Sequence, residues 1–154
     1  MVSRAINSFV KEVAMRRFFK LFMLTILAGI LLGIFTILQA EMCFKGADSY
    51  TFFCGDTSKN CREVHADSNA LLKKLTLSDI CGECAEYSEL DIESFLKSVN
   101  GEIIFTETLS DSVNYYCKAD LPYSVKLYGE QINLHICVSE RGIKVGSPII
   151  FGGF

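Results

Sequence analysis

The sequence predicts an α+β protein: an apolar N-terminal helix, a transmembrane anchor or signal segment, followed by a two-layer sandwich of an antiparallel sheet with helices on one face. Three observations predict it. Leu21–Leu38 is eighteen residues without a charge. A helical stripe follows at Ile92, Phe95, Leu96 and Val99, with the i, i+3, i+4, i+7 spacing of one buried helix face. Gln131–Phe151 then alternates apolar and polar residues: Ile132, Leu134, Ile136 and Val138 against Asn133, His135, Cys137 and Ser139, resuming with Ile143, Val145, Ile149 and Phe151. Period two over that length means two half-buried strands. With Arg141-Gly142 as the loop, Val138 faces Val145, Leu134 faces Ile149 and Ile132 faces Phe151, all on one side.

Residues 1–20 form a basic region with Arg4, Lys11, Arg16, Arg17 and Lys20. A helix over residues 21–38 covers ~27 Å, close to the thickness of a bilayer core. The positive-inside rule places the N-terminus in the cytoplasm and residues 41–154 outside. An uncleaved anchor over 21–40 competes with a signal peptide cleaved after Ala40, and Met15-Arg-Arg-Phe-Phe-Lys is itself a typical signal start. Residues 1–40 carry net +4, so the rest of a chain of net charge −3 carries −7. An acidic outer domain disfavours nucleic acid, whose phosphates demand Lys and Arg.

Residues 41–66 read as a cysteine-containing loop or tether, with Tyr50–Phe53 as a possible short strand. The α+β domain proper is read as 67–154. Ser68–Leu77 is expected to be helical, capped by Asp67 or Ser68, with Leu71, Leu72 and Leu75 on one face. Ile80–Glu86 is expected as a turn. The next helix opens on Ser88 with Asp91 three residues later and stops at Asn100-Gly101. Glu93 and Lys97 pair on its outer face. Strands are expected over 102–108, 113–119 and 124–128, before the long hairpin. The helical stripe is expected to cover Leu134 and Ile149. The order of one helix and then strands implies an antiparallel sheet whose second face is polar, and either exposed or used for binding. Gly152-Gly153 reads as a flexible end.

Gly101–Glu107 (Gly-Glu-Ile-Ile-Phe-Thr-Glu), Val113–Cys117 (Val-Asn-Tyr-Tyr-Cys), Tyr128–Val138 and the terminal Val-Gly-Ser-Pro-Ile-Ile-Phe-Gly-Gly-Phe together resemble the YwmB-like family. These are exported proteins of Gram-positive bacteria, labelled "TATA-box-binding-like". The resemblance covers about residues 88–154, and members of the family are longer. It implies a two-layer α/β fold and an envelope location linked to cell-wall or sporulation processes. It implies no established activity and no catalytic residues.

Seven cysteines follow the apolar segment, at 43, 54, 61, 81, 84, 117 and 137. In an exported chain they suggest disulfides, and an odd count leaves one unpaired. Cys54, Cys61, Cys81 and Cys84 are the disulfide candidates. Cys81-Gly-Glu-Cys84 also has the spacing of a thiol–disulfide redox pair, which needs a helix N-terminus to lower one thiol's pKa. The same four cysteines have the ligand types of a tetrahedral zinc site, although the six-residue gap between Cys54 and Cys61 is wide for one. Cys117 reads as packing. His65 reads as a solvated loop residue, and His135 with Cys137 as a partly exposed pair on one strand face. No Ser/His/Asp set, phosphate loop or paired carboxylates emerge. The leading expectation is therefore a non-enzymatic envelope protein with no catalytic, cofactor or metal residues, its partners being the membrane and an envelope protein or cell-wall component. The alternatives are a redox protein using Cys81 and Cys84 and a zinc-stabilised binding module.

Overall fold

The computed structural model describes residues 2–39, 41–55 and 60–151, with backbone alone for 2–14 and 36–39. The cleavage position Ala40, the loop residues Asp56 and Ser58, and Gly152-Gly153 lie outside the described residues. The chain divides into two units, Met1–Ala40 and Glu41–Phe154. The first is one helix, α1 (Val2–Gln39), which continues through the basic region. Its stretch Met15–Phe35 is long and apolar enough to cross a membrane, and none of it is buried.

The second unit is an α+β domain, as expected. Its main sheet has seven strands in the order β2-β1-β3-β9-β8-β5-β4. These are β1 (Ser49–Cys54), β2 (Arg62–Ala66), β3 (Ile80–Tyr87), β4 (Glu102–Thr108), β5 (Ser112–Lys118), β8 (Leu134–Ser139) and β9 (Gly142–Ser147). All neighbours are antiparallel. A small separate ladder pairs β6 (Val125–Leu127) with β7 (Glu130–Ile132).

Both short helices lie on one face. Phe52 sits opposite Glu83, Ala85 opposite Val145, and Val145 opposite Ile136, so residues two apart on β1, β3, β9 and β8 share that face. Helix α3 (Ile92–Ser98) and the Val99 that follows lay Ile92, Phe95, Leu96 and Val99 over Ala85, Tyr87, Leu134, Ile136 and Val145. Helix α2 (Ala70–Leu75) brings Ala70 against Phe52 and Ala66.

Several local expectations are corrected. Residues 41–66 are not a tether. Phe44 is 1 % exposed in the core, and β1 and β2 extend the sheet beyond β3. Ile80–Tyr87 is a strand rather than a turn. Asp91, not Ser88, caps α3, its carboxylate accepting the N–H groups of Glu93 and Ser94. Asp48 accepts both the N–H and the hydroxyl of Ser88 instead. Asn69 takes the N-cap position of α2, and Leu71 and Leu72 stay exposed while Ala70 is buried.

The long hairpin forms with a slipped register. Its loop is Glu140-Arg141, because Ser139 pairs with Gly142, whose φ of +129° suits glycine. Ile136 therefore faces Val145 and Val138 faces Ile143. The slip is an even number of residues, so the paired residues Leu134, Ile136, Val138, Ile143 and Val145 keep their expected face. Leu134 lies under α3 as expected. Ile149 does not, since β9 ends at Ser147, before Pro148. Ile132 pairs with Val125, not with Phe151.

Asn133 sits in the break between β7 and β8. Its Oδ1 accepts the Ala119 N–H at 2.6 Å, and its Nδ2 donates to the carbonyls of Ala119 and Leu121. Glu83 is fully buried on the helix face. It accepts the Lys74 ammonium of α2 at 2.7 Å and the Cys43 N–H at 3.0 Å. Lys74 also donates to the Glu41 carbonyl.

These contacts generate three predictions. Leu134→Ala should cost ~2–5 kcal/mol in urea unfolding. Asn133→Ala should cost ~1–3 kcal/mol, because the Ala119 N–H and carbonyl lose their partner; a cost under ~0.5 kcal/mol would show that Asn133 does not hold this corner. Lys74→Met should cost ~3–5 kcal/mol by stranding the Glu83 carboxylate, and adding Glu83→Leu should recover most of that loss. A double variant no more stable than the single would rule out the stranded-charge account.

Candidate functional site: the second face of the sheet

The face opposite the helices is built from the intervening positions. It carries His65 and Glu63 from β2, Thr51 and Phe53 from β1, and Gly82, Cys84 and Glu86 from β3. Lys144 and Gly146 of β9, His135 and Cys137 of β8, and Asn114 and Tyr116 of β5 continue it. The sequence predicts this face to be polar and either exposed or used for binding, with His135 and Cys137 as a partly exposed pair. That is corrected: His135 is 6 % exposed and Cys137 is 1 % exposed. Residues 149–151, just past β9, cover them. Ile150 joins the cluster of Phe53, Cys84 and Cys137, and Phe151 packs on Phe53 with ring centroids 4.9 Å apart.

Two glycines make room for that cover. A Cβ on Gly146 would lie 2.8 Å from backbone atoms of Ile149 and Ile150, and a Cβ on Gly82 would lie 2.8 Å from the Phe151 ring. The glycine of Cys81-Gly-Glu-Cys84 therefore serves close packing.

His135 fastens the segment. The Ile150 N–H donates to Nδ1 at 3.3 Å, so the ring proton sits on Nε2, which faces Asn114 Oδ1 at 3.1 Å. Tyr116 stacks on the imidazole at 4.4 Å, and Phe105 of β4 stacks on Tyr116 at 4.5 Å. The rings are spent on one another and do not offer a flat platform. Burial lowers the His135 pKa to about 4, because the imidazolium would lose its hydration there.

Beside the covered area the face stays open. A groove of about 480 Å³ is lined by Thr51, Glu63, His65, Glu86, Lys144 and Phe151, among others. Lys144 and Glu86 pair at 2.8 Å, and Thr51 Oγ1 meets His65 Nδ1 at 2.9 Å. The Lys144 hydrogen bond is the main reason Glu86 is held below the usual carboxylate range. His65 is exposed, as expected, but it is a strand residue with a partner rather than a loop residue.

All seven cysteines are free thiols. Along a strand Cys81 and Cys84 stand ~10 Å apart, more than the Cα separation a disulfide spans. Neither sits at a helix N-terminus, and burial raises both thiols, Cys84 to about 12. Low-pKa redox chemistry needs the opposite shift. Cys81 instead meets Cys61, with Cys54 near, while Cys84 lies in the cluster under Ile150. Among the described residues, no three His, Cys, Asp or Glu side chains are grouped to hold a metal ion. Cys117 is fully buried beside Leu134, where packing alone accounts for it.

Sequence reasoning missed Asn114, Glu86, Lys144 and the covering residues 149–151. Strand parity on His135 and Lys144 would have placed two of them. The cover shows in the sequence only as the Gly-Ser-Pro break. Compared with protein families, curated proteins and solved structures, the chain matches none.

His135 generates a pH prediction. The unfolded chain binds its proton near pH 6.5 and the folded chain only near pH 4, so protons favour unfolding. Stability should be intact above pH 6.5 and should fall as pH drops through that window, by ~2 kcal/mol at pH 5 and ~3 kcal/mol near pH 4. Urea titrations at pH 7 and 5 measure it. His135→Gln should flatten the slope above pH 5, and an unchanged slope would show that another group carries it.

Proposed function

We propose that this chain is an exported, membrane-tethered α+β domain with a binding or structural role in the cell envelope, not a catalytic one. The observation that carries the reading is the unburied apolar stretch Met15–Phe35, in a chain whose second unit closes its own core. Eighteen or more apolar residues with no protein to cover them are stable in a bilayer. Arg16, Arg17 and Lys20 in the first turns of the stretch and Glu41 after it favour a cytoplasmic N-terminus. Cleavage after Ala40 would give a secreted domain instead. The resemblance of residues 88–154 to the YwmB-like family supports an envelope setting.

The surface we assign to the role is the open groove. Glu63, Asp67 and Glu86 line it with a single ammonium, that of Lys144, next to His65 and the Phe151 ring. Three carboxylates against one ammonium disfavour a polyanion and suit a polar ligand, an envelope protein segment or a cell-wall component.

Fractionation checks the location. The protein should follow the membranes, and protease added to spheroplasts should degrade residues 41–154 from outside. Recovery from the cytosol, or protection in intact spheroplasts with cleavage only after lysis, would refute the reading. The mass of the N-terminal fragment separates anchor from cleaved signal.

A further inference from the structure

The main sheet has two edges, and they differ. At β2 the Lys73 ammonium of α2 donates to the His65 carbonyl at 2.6 Å, so a cation guards that edge. At the other end β4 lies beside β5 alone, and among the described residues nothing meets its outward N–H and carbonyl groups. Proline and lysine, which commonly blunt an edge, are absent from β4. A bulge sets Ile103 opposite Cys117 and Phe105 opposite Tyr116, so an apolar side chain flanks the edge on each face. Beyond the bulge, residues 105–108 pair with 113–116 in unbroken register.

Exposed apolar surface gathers at this edge. Ile103 and Leu109 are exposed, and the Tyr128 ring meets Phe105 edge to face at 5.8 Å. Tyr128 is 87 % exposed and has a φ of +52°, a turn conformation that favours Asn or Gly. A tyrosine there answers to something other than the turn. Residues 101–112 hold Glu102, Glu107 and Asp111 and no Lys or Arg. Glu102 has Lys118 opposite it on β5. Glu107 faces Asn114 and accepts the Tyr116 hydroxyl at 3.3 Å, with no ion pair to it among the described residues.

We propose that the β4 edge is a docking site for an extended basic segment of another protein, which adds to the sheet as a further antiparallel strand. Backbone hydrogen bonds hold the segment, and side chains select it. Run antiparallel, it places the residue opposite Glu107 two positions before the residue opposite Phe105. A Lys or Arg followed two residues later by an apolar residue therefore fits. The first meets the carboxylate, and the second packs against the Phe105 and Tyr128 rings. A second copy of this chain fits worse, because it lays a second carboxylate-bearing strand along the first. The edge is separate from the groove at Lys144 and does not depend on what that groove binds.

The test uses the full chain in detergent and a rhodamine-labelled peptide, Thr-Lys-Thr-Val-Thr-Val-Thr, followed by fluorescence anisotropy. Saturable binding is expected, and it should be lost when Glu replaces the peptide's Lys or Pro replaces its central Val. Glu107→Lys should weaken binding about tenfold, because a cross-strand attraction becomes a repulsion. Tyr128→Asn should weaken it about fivefold while Tm stays level or rises, since Asn suits the turn and the ring contact is gone. No binding of the Lys peptide, or equal binding of the Glu or Pro peptide, would overturn the proposal. Unchanged affinity in both variants would place the peptide elsewhere and refute the site. Dimers that exclude the peptide would give the edge to a second copy and refute the basic partner. The peptide comparisons use the wild type and stand whether or not a variant folds.

Discussion

The fold of the second unit turns on one buried carboxylate. Glu83 is wholly enclosed on the helix face of β3, where an unpaired charge would cost several kcal/mol. It is satisfied from two directions, by Lys74 of α2 and by the N–H of Cys43. Lys74 then reaches the carbonyl of Glu41. One ion pair thus locks three sequence-distant pieces: the segment leading into the domain, the second helix and a strand inside the sheet. It also explains why residues 41–44 are no tether. Their backbone polar groups are partners the buried pair requires, and Phe44 follows them into the core.

The second face is governed by a complementary constraint. Gly82 and Gly146 leave a shallow floor across β3 and β9, and residues 149–151 occupy it. A methyl group at either position would meet atoms already at contact distance. His135 holds the covering backbone by accepting an N–H, which only the neutral imidazole does. Low polarity at the site and the identity of the donor therefore favour the same protonation state. This polar latch sits in a mostly apolar cluster and answers for two groups that would otherwise be buried without partners.

What was legible in the sequence follows from which signals survive local error. The parity of the 131–151 alternation survives an even slip, so Leu134, Ile136 and Val145 were placed on the right face from a wrong register. The α3 stripe needed only its 3.6-residue period. The strand Ile80–Tyr87 was not legible. Cys-Gly-Glu-Cys breaks the apolar alternation, with a glycine on one face and a buried glutamate on the other. Both are there because of distant residues, Phe151 and Lys74, which no local window contains. Tyr50–Phe53 was legible as a strand and lies in β1, but β2 and its pairing with β1 were not. The His135 environment was misread for a related reason, since its cover is contributed by residues beyond the end of its own hairpin.

These long-range dependencies change how the two parts of the second unit relate. Residues 88–154 supply α3, β4, β5, β8 and β9, and on their own would end at β9 with an open edge. Pairing of β3 with β9 removes that edge and adds β1 and β2 beyond it. The floor beneath Phe151 takes Gly82 from the earlier part and Gly146 from the later one. The open groove likewise joins Thr51 and His65 to Lys144 and Phe151. The cysteine-bearing segment is therefore half of the candidate site. A protein with only the later strands could share the helix-covered core, but it would have neither the groove nor the cover as they occur here.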